Sequence, residues 1–179
     1  RPERGIELVS FDAKTVSPPV LVSSVGERIA NLGPSCVARP QSVVVAYGLS
    51  DGPWDSARSP QLRALVLVDH REPGAKNVRK EIGQPGLLLM YPQLLSSGIG
   101  PNDPLQIAFV SGHRDRDPDA TLRLLTLPSD LSSDLPPRVE TLRRGLRLTA
   151  DREDRSWAGD YLGIARSDGK TVISYIDNS

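Results

Sequence analysis

The chain has one cysteine, Cys36, so no intrachain disulfide can form and no cysteine metal cluster can be assembled. The neighbourhood Cys36-Val37-Ala38 is apolar, which predicts a buried, inert thiol rather than a nucleophile. No charge of one sign dominates: 22 basic residues face 22 acidic ones, so no bulk field draws in nucleic acid or an anionic membrane surface. Lysine is scarce, present only as Lys14, Lys76, Lys80 and Lys170, a bias that suggests a GC-rich bacterial gene. No apolar run reaches the roughly 20 residues of a membrane-spanning helix. The opening residues, Arg1-Pro2-Glu3-Arg4-Gly5, form no hydrophobic signal core and include no initiating Met. The expectation is a processed or excised piece from which a signal peptide has been removed. Gly-x-Ser-x-Gly and phosphate-loop spacings are missing, which removes the nucleophile-elbow and P-loop classes.

What the chain does have is punctuation. Sixteen prolines and 15 glycines divide 179 residues into short apolar runs, so long helices are hard to place and an all-β chain is expected. Strands are predicted over 5–11, 19–25, 34–39, 42–47 and 62–68, the third and fourth joined by a Pro40-Gln41 turn. Residues 76–82 carry the charges of an outer, exposed edge. The apolar stretches 87–95 and 105–110 read as strands buried on both faces, and 122–127 follows an Asp-rich loop. Arg138 to Leu148 is ambiguous: Val139, Leu142 and Leu146 fit a short helix, whereas Gly145 and the alternation after it favour an outer strand.

The most specific stretch is Trp157-Ala158-Gly159-Asp160-Tyr161-Leu162-Gly163-Ile164-Ala165, followed by a Ser167-Asp168-Gly169 turn and the β-branched run Thr171 to Ile176. It predicts a hairpin whose turn needs positive φ. Its wording resembles the innermost hairpin of sialidase-like (BNR-repeat) β-propeller blades. Three segments repeat one another around Tyr47, Phe109 and Tyr175, spaced by 62 and 66 positions, and Leu62-Arg63-Ala64-Leu65 matches Leu122-Arg123-Leu124-Leu125 at 60. Units that repeat in this way bury their faces against one another.

These observations predict a single all-β region over 1–179 holding about three four-stranded propeller blades. Two are complete, at 34–84 and 87–149; the third is split into an inner pair at 160–177 and an outer pair at 5–25. Propellers close with about four to eight blades, so three form an open arc. A second copy or another polypeptide chain must then complete the ring, three plus three matching the six blades that the resemblance implies. A single β-sandwich is the competing architecture.

The resemblance places a ligand face at the start of the inner strands, where Asp160 and Tyr161, with Trp157 before them, would suit a carbohydrate. The same residues also serve a structural role, Asp160 accepting backbone amide bonds and Trp157 plugging the gap between blades. Sialidase chemistry needs an arginine triad, a Tyr nucleophile paired with a Glu, and a further acid. The chain lacks an Arg-Ile-Pro signature, and Ser129 to Asp134 lacks the Gly and Trp of an Asp box, so no catalytic residue is assigned. Asp115, Asp117 and Asp119 alternate like a Ca2+ loop, but Ala120 and Thr126 stand where Gly and Glu are required, and Arg114 and Arg116 neutralise the acids. A solvated hairpin tip is the simpler reading. His70 and His113 each lack a second ligand at zinc spacing. Arg143, Arg144 and Arg147 lack the aromatic interleaving of a nucleic-acid site.

The function expected is therefore a non-catalytic or structural portion of a secreted, extracellular or periplasmic sialidase-like propeller that binds a ligand or a partner chain. An exo-glycosidase completed by another chain and a capsid-like β-sandwich assembly subunit are the alternatives. No cofactor, nucleic acid or membrane span is expected.

Overall fold

The structure is a computed structural model that describes residues 5–11, 13–29, 33–50, 62–71, 75–83, 88–96, 102–112, 120–146, 162–168 and 170–175. It is all-β, with no helix among the described residues. Twelve strands follow in order: β1 (Glu7–Leu8), β2 (Val20–Leu21), β3 (Ser35–Arg39), β4 (Ser42–Ser50), β5 (Leu62–Arg71), β6 (Val78–Gly83), β7 (Leu88–Ser96), β8 (Leu105–Gly112), β9 (Ala120–Leu127), β10 (Arg138–Leu146), β11 (Gly163–Ser167) and β12 (Lys170–Ser174). The first two are far shorter than the runs 5–11 and 19–25 predicted for them. Residues 138–146 are a strand and not a helix, with Gly145 at φ 70° where the ladder to β9 shifts register between Arg144 and Leu146.

Each of the two large sheets is an antiparallel meander of four strands, β3-β4-β5-β6 and β7-β8-β9-β10. Strands β1-β2 and β11-β12 form separate two-stranded sheets. Each strand pairs with the next in the chain, as sequential antiparallel neighbours can without a crossover. The β11-β12 turn has two residues, since Ser167 pairs with Lys170; Asp168 takes φ 50° there, as a tight hairpin turn requires.

Side-chain alternation sends successive residues of each central strand to opposite faces, and both faces are covered. Between the two large sheets lie Val44, Ala46, Leu65 and Leu67 from one and Leu105, Ile107, Phe109, Leu125 and Leu127 from the other. The outer face of the first sheet buries Val45, Tyr47, Leu49, Val66 and Val68 against Ile6, Leu8 and Val22 of the β1-β2 region. The outer face of the second buries Val110, Ala120, Leu122 and Leu146 against Leu162, Ile164 and Ile173 of the β11-β12 hairpin. Four layers are thus stacked in chain order, with β3 beside β7 and β7 beside β11. No closed ring of sheets forms among the described residues.

Register corrects one repeat. Tyr47 pairs with Val66 and Phe109 pairs with Arg123, so β5 and β9 correspond at a spacing of 57 positions and not at the 60 that joins Leu62 to Leu122. The odd difference of three reverses the faces: Leu65 and Leu122 are the true counterparts, each pointing toward the following layer. Two members of the aromatic repeat agree, since Tyr47 and Phe109 both face the preceding layer, whereas Tyr175, just past the end of β12, is exposed.

Cys36 is exposed, against the prediction of a buried thiol. By pairing, Cys36 opposite Val45 corresponds to Leu94 opposite Ile107 and to Ile164 opposite Ile173. Leu94 is 8% exposed and Ile164 partly buried, because in each case a complete sheet covers the first strand of the next. Among the described residues only the β1-β2 region packs on this face of the first sheet, and Cys36 and Ala38 remain exposed.

Candidate functional site

The described residues form a cleft of about 630 Å³ at the sheet end that carries the β3-β4 turn. Its wall combines Arg39, Pro40 and Gln41 of that turn with Asp69 and Arg71 at the end of β5. From the second sheet come Asn102, before β8, and Ser129 and Asp130, after β9. Antiparallel order makes this inevitable: where β3 ends, β5 and β9 also end and β8 begins.

Arg39 holds the two sheets together here. Its guanidinium donates to the Ser129 carbonyl at 2.8 Å and the Asp103 carbonyl at 3.1 Å, while its Nε is buried without a hydrogen-bond acceptor. Lys80 of β6, expected as a solvated edge charge, instead donates to the Ser133 carbonyl at 2.7 Å. The Ser35 hydroxyl accepts from the Leu94 amide at 3.0 Å. Asp69 is 4% exposed; its Oδ2 accepts from Arg71 Nε at 3.0 Å and its Oδ1 is buried with no donor. Asp130 closes its own turn by accepting from the Ser132 amide at 2.9 Å and hydroxyl at 2.7 Å. The hydroxyl bond first, then the amide bond, hold its carboxyl below the ordinary value of 3.8 against desolvation, with lesser help from the charges of Arg71 and Lys80.

A second polar group lies on the outer face of the first sheet. The buried Tyr47 hydroxyl donates to Glu27 at 2.8 Å and accepts from Arg79 at 3.0 Å, and Arg79 also contacts Glu27 at 2.6 Å. This supplies the Tyr and Glu pairing that glycosidase chemistry of the sialidase kind requires, in the wrong state for it. Burial first, then the hydrogen bond to Glu27 and its charge, push the phenol above its ordinary 10.0, although Arg79 pulls the other way. A nucleophile needs access and a lowered proton affinity. Tyr47, 1% exposed, has neither and ties residues 24–29 to the sheet.

Trp157, Asp160 and Tyr161 lie outside the described residues, as do Asp115, Asp117 and Asp119 of the weak Ca2+ reading and His113. Among the described residues no group of three His, Cys, Asp or Glu could hold a metal ion. His70 stands opposite Val43, its Nδ1 buried without a partner. The cleft itself was invisible to sequence reasoning, because Arg39, Asp69 and Asp130 belong to no motif and converge only through the stacking of the sheets. No helix is long and apolar enough to cross a membrane among the described residues. Compared with protein-family models, curated proteins and solved structures, the chain matches none.

Proposed function

We propose that this chain is about three blades' worth of a sialidase-like β-propeller, and that it acts without catalysis of its own by holding a partner polypeptide on its two half-sheets. The observation that carries this reading is the graded cover over equivalent first-strand positions: Leu94 buried, Ile164 partly buried, Cys36 exposed. In the first sheet the β3-β4 hairpin, the counterpart of β11-β12 by pairing, lies against β7, and the β1-β2 pair has no such hairpin beside it among the described residues. Two strands plus two strands restore the four of each large sheet.

The open surfaces agree in chemistry. Val172 is 57% exposed on the free face of β12, beside the exposed Ala165, while Cys36 and Ala38 form a small apolar face on β3. Phe11 and Val16, 82% and 72% exposed, lie beside the β1-β2 pair. Strands β1 and β12 each have one ladder partner among the described residues, and an open edge of this kind invites pairing. Burial of β4, β5 and β8 on both faces favours radial stacking over a two-sheet sandwich, whose outer faces alternate with polar residues.

Sedimentation of the purified protein at micromolar concentration tests the reading. The expected result is a species of at least twice 19.4 kDa, or the chain in complex with a second polypeptide, shifted toward monomer by Val172→Asp. A folded monomer that sediments identically with and without the substitution contradicts it.

A further inference from the structure

Pairing in the two four-stranded sheets shows what a second strand takes as its third. Opposite the small residue Ala46 stands Leu67, and opposite Ala108 stands Leu124. One position earlier on the second strand, Val45 meets Val68 and Ile107 meets Leu125; one earlier again, Val44 meets Asp69 and Gln106 meets Thr126. Strand β12 is the counterpart second strand, with Ser174, Ile173 and Val172 at these positions, and it has no third strand among the described residues. Leucine, then an apolar residue, then a polar one is the order of Leu8-Val9-Ser10, which runs from β1.

Direction agrees with order. Leu65 and Leu122 point toward the following layer, and Ile6 and Leu8 do the same by packing on the first sheet. Ile6 and Ser10 direct both amide and carbonyl to the β2 side, so alternation turns those of Glu7, Val9 and Phe11 to the open edge. Ser167 pairs with Lys170 across a two-residue turn, which leaves Thr171 and Ile173 turned away from β11. Bonding positions of the two edges therefore meet when Ile173 stands opposite Val9, the register that the side chains also select. Cover is complementary as well: the β1-β2 region packs on β4 and β5 and leaves Cys36 and Ala38 of β3 exposed, whereas the β11-β12 hairpin contacts β7 and most of β10 is exposed. One pair covers the outer part of a sheet and the other the inner part, so the two fit side by side in one layer.

Strands β1 and β12 lie at opposite ends of the stack and cannot meet within one chain. Resting on the reading of the chain as an incomplete propeller, we propose that the partner is a second copy of this chain, whose β1 adds antiparallel to the open edge of β12 with Ser174 opposite Leu8, Ile173 opposite Val9 and Val172 opposite Ser10. The shared layer then has four strands, β11-β12 from one copy and β1-β2 from the other.

Disulfide trapping in a Cys36→Ser background tests this. Ser10 and Val172 are exposed and form a non-hydrogen-bonded pair in this register, where opposite side chains come closest. A Ser10→Cys, Val172→Cys double variant should oxidise to covalent species of twice 19.4 kDa or more, joined through positions 10 and 172 in peptide mass spectrometry. The reaction should be at least about tenfold faster than in either single variant. Phe11→Cys with Val172→Cys, on opposite faces, should match the single variants. In the unaltered protein the amides of Val9 and Ile173 should exchange slowly in the assembly and lose that protection on dilution to monomer, a check that needs no variant to fold. A folded monomer at micromolar concentration overturns this inference together with the reading beneath it. An assembly overturns this inference alone if the double variant links no faster than the single ones, if the Phe11 variant links instead, if Val9 and Ile173 are unprotected, or if a different polypeptide occupies β12.

Discussion

At the scale of single residues, Tyr47 shows how one hydroxyl joins separate parts of the chain. It donates to Glu27 and accepts from Arg79, so a loop, a central strand and an edge strand meet at one oxygen. Replacing it by Phe leaves Glu27 and Arg79 paired with each other and removes two bonds, a loss of about 1–2 kcal/mol in urea unfolding at pH 7. The sign of the pH dependence follows from the raised proton affinity of the phenol. Its contribution is complete below the ordinary value of 10.0 and is lost as pH rises through the higher value in the folded state. The stability gap between the native protein and Tyr47→Phe should therefore narrow above pH 10. Asp130 gives a second check at the acid end, where NMR titration should place its carboxyl below 3.8 and Ser132→Ala should return it toward that value. Neither role was legible in sequence. Tyr47 stood out as the aromatic residue of a repeat, but its partners lie 20 and 32 positions away and carry no motif. Cys36 was misread because apolar neighbours reveal that a strand is present, and cannot reveal which of its faces has a cover.

The elements themselves were written more openly. Prolines and glycines bounded the strands, charges identified the β6 edge, and the nearly all-apolar run of β8 announced burial on both faces. Ser167-Asp168-Gly169 marked the hairpin, with positive φ at Asp168. Where local signals failed, a ladder decided. Helical spacing over 138–146 was overruled by pairing with β9, and the 60-residue repeat was displaced by three because leucine-rich strands resemble one another at several offsets. Gly145 tests this level. At φ 70° a valine is strained, so Gly145→Val should destabilise the protein by about 1–3 kcal/mol. Thr141→Val, on the same exposed strand, should stay within about 0.5 kcal/mol. Equal effects in chemical denaturation would mean that the bend in β10 is dispensable.

For the molecule as a whole, two four-stranded sheets are enclosed by two two-stranded ones, and apart from Leu135, Val139 and Leu142 along the β10 edge the exposed large apolar residues lie on or beside the two-stranded sheets: Phe11, Val16, Val20 and Leu21 at one end of the stack, Val172 and Tyr175 at the other. Patches of this kind mark surfaces that associate. On the proposed arrangement the hairpin of a partner covers β3, and Cys36 is the residue on which that claim can be read directly. The rate at which Cys36 is alkylated in the native, assembled protein is the decisive measurement. The account predicts a thiol at least about tenfold slower than in a Val172→Asp sample driven to monomer, with the difference growing as protein concentration rises. A native thiol that reacts as fast as a free one at every concentration would contradict it, because β3 would then be an outer surface that nothing completes.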